Sequence, residues 1–123
     1  MVEAAALPLP WQVGFQAGGN ESIADTLKAG IGGSTGMRPH ELLEASLATC
    51  MTISARMALA DLGITEAEVG VRVHLEREES ETRFCYELLL APELEAHRPM
   101  LVERITGSPV RSTLSKSLVF EAL

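Results

Sequence analysis

The fold of this chain is decided by residues 32–63, which read GGSTGMRPHELLEASLATCMTISARMALADLG. A glycine-rich loop leads into Pro39, and proline suits a first helical turn because an N–H at that position would have no partner inside the helix. Gly63 tolerates the left-handed conformation that commonly ends a helix. The stretch therefore predicts one long helix over residues 39–62, with Cys50 halfway along it.

Apolar side chains go most of the way round this predicted helix. Its charged residues between positions 42 and 62 are Glu44, Arg56 and Asp61. Its large apolar residues include Leu42, Leu43, Leu47, Met51, Ile53, Met57 and Leu59. A helix that is apolar on nearly every side is expected to be covered by the rest of the protein. It is long enough to span a bilayer, but the three charges and the flanking sequence argue against a membrane span.

The composition limits the kinds of partner and compartment. The 123 residues suit a single domain over 1–123, and the net charge of −7 argues against binding to nucleic acid or to an anionic membrane. The N-terminal segment has no basic region ahead of its apolar residues, so it does not resemble a secretory signal. Cys50 and Cys85 lie too far apart, and are too few, for a secreted disulfide framework. A cytoplasmic protein is therefore predicted.

Four further segments carry strand patterns or turn signals. Residues 10–30 predict a hairpin that turns at Gly18-Gly19-Asn20 and returns over residues 22–27. Residues 69–75 alternate apolar with polar side chains and predict a strand with one solvated face. After a charged turn, residues 83–90 predict the partner strand.

The C-terminal third predicts helices and a last strand. Residues 92–105 predict a helix that is irregular at Pro99. Ser108 and Pro109 then start a short helical turn, with the serine as N-cap and the proline at the first helical position. Residues 118–122 alternate apolar and polar side chains and predict a short final strand.

The order of these elements predicts an α+β fold and a homodimer. One copy of such a sheet cannot cover both sides of the long apolar helix, and the surface left over would be too large to sit in water. The pattern therefore predicts an intimate homodimer in which two such helices pack against each other between sheets.

Two motifs resemble the OsmC/Ohr family of organic hydroperoxide reductases. Residues 32–64 resemble the family's glycine-rich loop, its P-x-E-L-like helix start and its helix with a reactive cysteine, and SPVRSTLS at 108–115 resembles its C-P-V-x-x-T-L segment. The resemblance implies an OsmC-like α+β fold in an interwoven homodimer, with two long central helices packed between β-sheets. It also implies that Cys50 is the peroxidatic thiol, whose sulfur attacks the O–O bond of an organic hydroperoxide and becomes a sulfenic acid.

The chain departs from the family pattern at three positions. The family's resolving cysteine falls at Ser108, which cannot form a disulfide although it can still serve as an N-cap. The family's acidic residue, ten positions before the cysteine, falls at His40, with Glu41 next to it. The family's N-terminal arginine has no counterpart, which leaves Arg38 as the only substitute nearby. An external thiol or dithiol, such as a lipoyl group, would then have to regenerate Cys50.

His40 and Glu41 are candidate catalytic residues whose role stays open. Ten helical residues cover roughly 15 Å, so His40 can meet Cys50 only if two helices run antiparallel in a dimer. A histidine there could act as a base toward the thiol or support the thiolate, or it could be an exposed residue of the first turn. Ser46 and Ser54, one turn to either side of Cys50, could donate to its sulfur or simply permit close helix packing.

Three alternatives stay open. Cys85 could resolve Cys50 through a disulfide if its side of the strand points at the long helix, which its neighbours leave ambiguous. The protein could instead be a non-catalytic OsmC-like dimer that binds a small hydrophobic ligand at its interface. Independently of the resemblance, a hot-dog-like thioesterase with Glu44 as its helix carboxylate would also wrap a sheet round a long helix. No cofactor is expected, and the histidines have no metal-ligand spacing with the cysteines.

Overall fold

The computed structural model describes residues 1–123 and contains both strands and helices, which confirms the mixed α and β class. Its strands are β1 (Glu3–Ala6), β2 (Val13–Ala17), β3 (Asn20–Ala24), β4 (Leu27–Lys28), β5 (Ile31–Gly32), β6 (Val69–Arg77) and β7 (Thr82–Leu90). Its helices are α1 (Pro39–Asp61), a 3₁₀ helix (Pro92–His97), α2 (Arg98–Thr106) and α3 (Pro109–Leu114). The chain divides into two compact units, Met1–Leu43 and Glu44–Leu123.

The first unit is built on an antiparallel sheet with the strand order β1-β2-β3. The predicted hairpin is confirmed, because β2 and β3 pair as far as Ala17↔Asn20 and the chain turns at Gly18-Gly19. The return strand ends at Ala24, earlier than the sequence predicts, and Leu27–Lys28 forms β4, which pairs with β5 in a separate hairpin. Strands of two to four residues, such as β1, β4 and β5, carry too little periodicity to be found from sequence.

The carboxylate of Asp25 holds the segment between β3 and α1. Asp25 is 2% exposed, and its side chain accepts the N–H of Thr26 at 2.8 Å and the N–H of Thr35 at 3.1 Å. The backbone N–H of Asp25 donates to the carbonyl of Met37 at 3.1 Å. The amides of Thr35 and Thr26 stabilise the ionised form and hold the pKa of Asp25 below its ordinary value, against burial, which raises it. The glycine-rich lead into α1 is therefore anchored at its end.

Gly36 lies so close to β3 that a side chain does not fit there. A β-carbon at this position would overlap the backbone carbonyl of Ile23. We expect Gly36→Ala to lower the free energy of unfolding by about 1–3 kcal/mol, because the two backbone segments must move apart. Urea denaturation measures this change. The matched control is Gly19→Ala, since the added methyl group meets open space in the β2–β3 turn and should change stability by less than about 0.5 kcal/mol. Equal stability of the two variants would contradict the close approach.

The second unit has its core between α1, the β6–β7 ribbon and α2. Strands β6 and β7 pair antiparallel in continuous register, which confirms both predicted strands and places the charged turn at residues 78–81. Val71 and Val73 face the core, while the alternate positions of β6 and β7 carry polar pairs such as Arg72–Glu87 at 2.9 Å. The buried core residues are Leu47, Met51, Ala55, Ala58, Leu59, Leu88, Ala91, Leu94, Leu101 and Ile105.

Helix α1 confirms the predicted long helix to within one residue. Its buried positions form a stripe on one side, at Leu47, Met51, Ala55, Ala58 and Leu59. Ile53 and Met57, on another side, are 54% and 59% exposed. One chain therefore covers α1 on one face only, which agrees with the prediction that a single copy cannot cover both sides of this helix. By length and composition alone, α1 could cross a membrane, but the core helix of a soluble protein meets the same criteria. The buried stripe of α1 belongs to the core of the second unit.

The C-terminal third differs from the prediction in two places. The helix predicted over 92–105 starts as the 3₁₀ helix and continues as α2, so the irregularity falls just before Pro99, which lies in the first turn of α2. The final strand predicted over 118–122 is wrong, since these residues have no regular structure. Val119 and Phe120 are 75% and 90% exposed. An alternating pattern does not form a strand without a neighbouring strand to bond to.

Candidate active site

Cys50 lies halfway along α1 and is half-buried. It follows the buried Leu47 by three residues, so it borders the buried stripe of the helix. Ile53 and Met57 follow it by three and seven residues, so the thiol also borders the exposed apolar side of α1. Cys50 is therefore placed at the boundary between the buried stripe and the exposed apolar side of α1.

The sulfur of Cys50 accepts a backbone hydrogen bond from the start of α3. The N–H of Val110 lies 3.5 Å from Cys50 Sγ. Because Val110 is in the first turn of α3, its N–H has no acceptor within the helix and is free to bond to another group. The hydrogen bond to the sulfur thus comes from Val110, and Ser46, one turn before Cys50, is exposed.

Ser108 occupies the predicted N-cap position of α3, but its hydroxyl does not cap the helix. The side chain is 1% exposed, and its Oγ is buried without a hydrogen-bond partner. An N-cap oxygen normally accepts the N–H two or three residues later. Here the N–H two residues later belongs to Val110 and is donated to Cys50. The expected capping bond is therefore wrong, and the buried hydroxyl is left with no bond of its own.

Cys85 lies on the solvated face of the β6–β7 ribbon. It is exposed and stands opposite His74, between the cross-strand pairs Arg72↔Glu87 and Glu76↔Arg83. The face that packs toward α1 carries the alternate positions of both strands. Both cysteines are free thiols. The alternative in which Cys85 forms a disulfide with Cys50 is therefore wrong for this structure, because the strand register points the two thiols to different sides.

His40 and Glu41 lie in the first turn of α1, and both are exposed. Glu41 Oε1 accepts the backbone N–H of Arg38 at 2.9 Å and lies 3.7 Å from Arg38 Nε. This is the reciprocal half of a capping box, in which the third helical residue reaches back to the N-cap. The structure thus brings Glu41 to Arg38. His40 and Cys50 stay ten residues apart on the same helix, about 15 Å along its axis.

Glu44, the residue considered for a thioesterase, is bonded to the edge of β6. Its Oε2 accepts the backbone N–H of Leu75 at 2.9 Å and lies 3.9 Å from His74 Nδ1. In the sequence, Glu44 stands out as a possible catalytic carboxylate because it is an acidic residue on a largely apolar helix. Only the fold shows that this carboxylate accepts a hydrogen bond from the edge of β6. No group of three or more His, Cys, Asp or Glu side chains is placed to hold a metal ion.

Comparison with known proteins identifies the family. A family model for OsmC-like proteins matches residues 32–121, and the chain belongs to this OsmC-like family. The resemblance drawn from residues 32–64 and 108–115 is therefore confirmed. No curated protein sequence matches the chain significantly.

Two crystal structures share the fold. A protein from Psychrobacter arcticus 273-4, assigned to the osmotic stress and detoxification response, aligns with a TM-score of 0.76 at 19% identity, over 91% of this chain and 85% of its own. An organic hydroperoxide resistance protein OsmC from Legionella pneumophila, described as a predicted redox protein and regulator of sulfide bond formation, aligns with a TM-score of 0.58 at 17% identity, over 94% and 88%. At these identities the likeness concerns the fold alone.

Proposed function

We propose that this OsmC-like protein is a thiol-dependent peroxidase that reduces organic hydroperoxides through Cys50. The observation that supports the proposal most directly is that the N–H of Val110 lies 3.5 Å from the sulfur of the half-buried Cys50. A thiolate accepts a hydrogen bond from a backbone N–H, and this bond stabilises its negative charge. The thiolate is the nucleophilic form of cysteine. The exposed apolar residues Ile53 and Met57 beside the thiol suit a hydroperoxide with an apolar organic group.

The reaction needs one sulfur and no bound cofactor. The Cys50 thiolate attacks the terminal oxygen of R–O–OH, an S–O bond forms and the O–O bond breaks. The sulfur is oxidised to a sulfenic acid, while the peroxide is reduced to an alkoxide that takes up a proton and leaves as the alcohol. The Legionella pneumophila protein that shares this fold is named for organic hydroperoxide resistance, and we propose the same class of substrate for this chain.

Regeneration of Cys50 needs a thiol from outside the chain. Ser108 has no sulfur, and Cys85 faces solvent on the other side of the ribbon. An external thiol condenses with the sulfenic acid, releasing water and forming a mixed disulfide. A second thiol then attacks this disulfide and frees Cys50. A dithiol such as a lipoyl group can supply both thiols, and we propose this class of reductant.

We further propose that the chain works as a homodimer through the exposed side of α1. Ile53 and Met57 are more than half exposed on a helix whose other face is buried, so a second copy of α1 is a fitting cover. If the two helices run antiparallel, His40 and Glu41 of one chain lie beside Cys50 of the other, where the histidine could act as a base. The family match covers residues 32–121, which include the end of the first unit and nearly all of the second. We propose that 1–123 is one domain and that the protein is cytoplasmic.

The first test of the activity is trapping of the sulfenic acid. The protein is exposed to one equivalent of cumene hydroperoxide with dimedone and analysed by intact-mass spectrometry and peptide mapping. We expect the dimedone adduct at Cys50, formed faster than at Cys85 and faster than with hydrogen peroxide, because Cys50 has the N–H donor and the apolar surface. Cys85 is the internal control, as it is exposed and free. Labelling at Cys85 alone, or none, would contradict the proposal.

A second candidate function is binding of a small hydrophobic ligand without catalysis. The first unit contains an open cavity of about 860 Å³ on its sheet, a volume within the range of small-molecule sites. Its lining includes the apolar side chains of Leu7, Phe15, Ile23 and Met37. If Cys50 proves unreactive, this cavity is where binding of an apolar ligand should be sought.

A further inference from the structure

We propose that Ser108 is a catalytic residue that donates a hydrogen bond from its Oγ to the oxygen carried by Cys50 after the peroxide has reacted. This inference rests on the proposed peroxidase function and adds a role for the residue that replaces the family's second cysteine. In this role Ser108 prolongs the life of the sulfenic acid until an external thiol arrives.

The first support is the unsatisfied state of the Ser108 hydroxyl. The side chain is 1% exposed, and its Oγ has no hydrogen-bond partner while Cys50 is a thiol. A buried hydroxyl without a partner lowers stability, because it has lost its bonds to water and gained none. Among the buried side-chain oxygen and nitrogen atoms, Ser108 Oγ is the one without a hydrogen-bond partner. Such a group marks a place where a further partner is expected to bind.

The second support is the geometry that links Ser108 to Cys50. The side chain of an N-cap residue lies at the open end of its helix, near the first N–H groups. One of these, the N–H of Val110, bonds to Cys50 Sγ at 3.5 Å. The N–H that an N-cap oxygen would ordinarily accept is thus donated to the sulfur. The hydroxyl and the sulfur therefore lie at the same end of α3, although they are not bonded to each other.

Oxidation of Cys50 supplies the missing partner. The transferred oxygen is held one bond away from the sulfur and, as a sulfenate, accepts hydrogen bonds strongly. The Ser108 O–H can donate to this oxygen without displacing the bond from Val110 to the sulfur. A cysteine at position 108 would instead attack the sulfenic sulfur and expel water, which gives an internal disulfide. Serine therefore changes the cycle from two internal thiols to one stabilised sulfenic acid.

The experiment measures the lifetime of the sulfenic acid in a Cys85→Ser background. Each protein receives one equivalent of cumene hydroperoxide without reductant, and dimedone is added after increasing delays. Intact mass then reports how much Cys50 can still be trapped. We expect Ser108→Ala to shorten this lifetime by about three- to tenfold, the effect of one hydrogen bond. The φ of −61° and ψ of 144° at Ser108 are ordinary for alanine, so the variant should fold.

Two further variants separate the possible outcomes. Ser46→Ala is the matched control, because Ser46 lies one turn from Cys50 but is exposed. The sulfenic acid in this variant should live as long as it does in the Cys85→Ser parent. Ser108→Cys should lose two mass units after oxidation as the disulfide to Cys50 forms. No disulfide in Ser108→Cys, or an unchanged lifetime in Ser108→Ala, would overturn the role of Ser108 while leaving the peroxidase intact. No trapped Cys50 in any variant would instead overturn the peroxidase itself.

Discussion

Replacing Cys50 with serine is expected to reduce the consumption of cumene hydroperoxide to the uncatalysed rate, a loss of at least about 10³-fold. The oxygen of serine is not deprotonated near neutral pH and cannot be oxidised as sulfur can. The measurement is peroxide remaining over time, with dihydrolipoamide present in excess as the reductant. Thermal unfolding of the variant should change little, since Cys50 is only half-buried and one oxygen replaces one sulfur.

Cys85→Ser is the matched control for this loss. Both cysteines are free, but Cys85 is exposed on the solvated face of the β6–β7 ribbon, and neither of them bonds to the other. We expect this variant to consume cumene hydroperoxide at a rate within about twofold of the parent. In both proteins dihydrolipoamide reduces the oxidised Cys50. Loss of activity in Cys85→Ser alone would contradict the assignment of Cys50 as the reacting thiol.

The second large effect is expected from Met57→Glu, which should convert the proposed homodimer into a monomer. Met57 is 59% exposed in the single chain, so a charge there does not disturb the core of the second unit. In a dimer formed through α1, two carboxylates would lie in an apolar interface, and like charges there cost several kcal/mol. The dissociation constant should rise by at least about 100-fold. Light scattering coupled to gel filtration at micromolar concentration measures the change.

Val102→Glu is the control for the dimer. Val102 is also an exposed apolar residue, at 41%, but it lies on α2. Its variant should keep the oligomeric state of the parent. A parent that is itself a monodisperse monomer at micromolar concentration would overturn the dimer proposal. A Met57→Glu variant that is still dimeric would place the interface away from this face of α1.

The elements that the sequence predicts correctly are those whose signals are local. Helix α1 begins at Pro39 and ends two residues before Gly63, as the proline and glycine preferences indicate. Strands β6 and β7 follow their two-residue periodicity almost residue for residue. The failure over residues 118–122 has the opposite cause, because the same alternation is present but the chain offers no strand beside it. Local pattern is sufficient for a helix, whereas a strand depends on a distant partner.

The candidate site divides in the same way. The position of Cys50 on a long helix, and Ser108 at the start of a short one, follow from the order of residues in the chain. The direction of Cys85 does not, because one residue of register decides which face of a sheet a side chain occupies. The bond from Val110 to Cys50 joins residues 60 positions apart, so no spacing rule could have found it.

By itself, the sequence determined the long apolar helix with its thiol, the main strand pair and the OsmC-like family, since these depend on periodicity, helix ends and motifs. Only the tertiary structure decided that Cys85 faces solvent, that Glu41 bonds to Arg38, and that the Ser108 hydroxyl is buried without a partner. The physical reason is that an N–H donor bonds to whichever acceptor the packing of the whole chain brings within reach of it. Val110 N–H could bond to the serine beside it or to a sulfur from a distant helix, and the packing of α3 near α1 gave it to the sulfur.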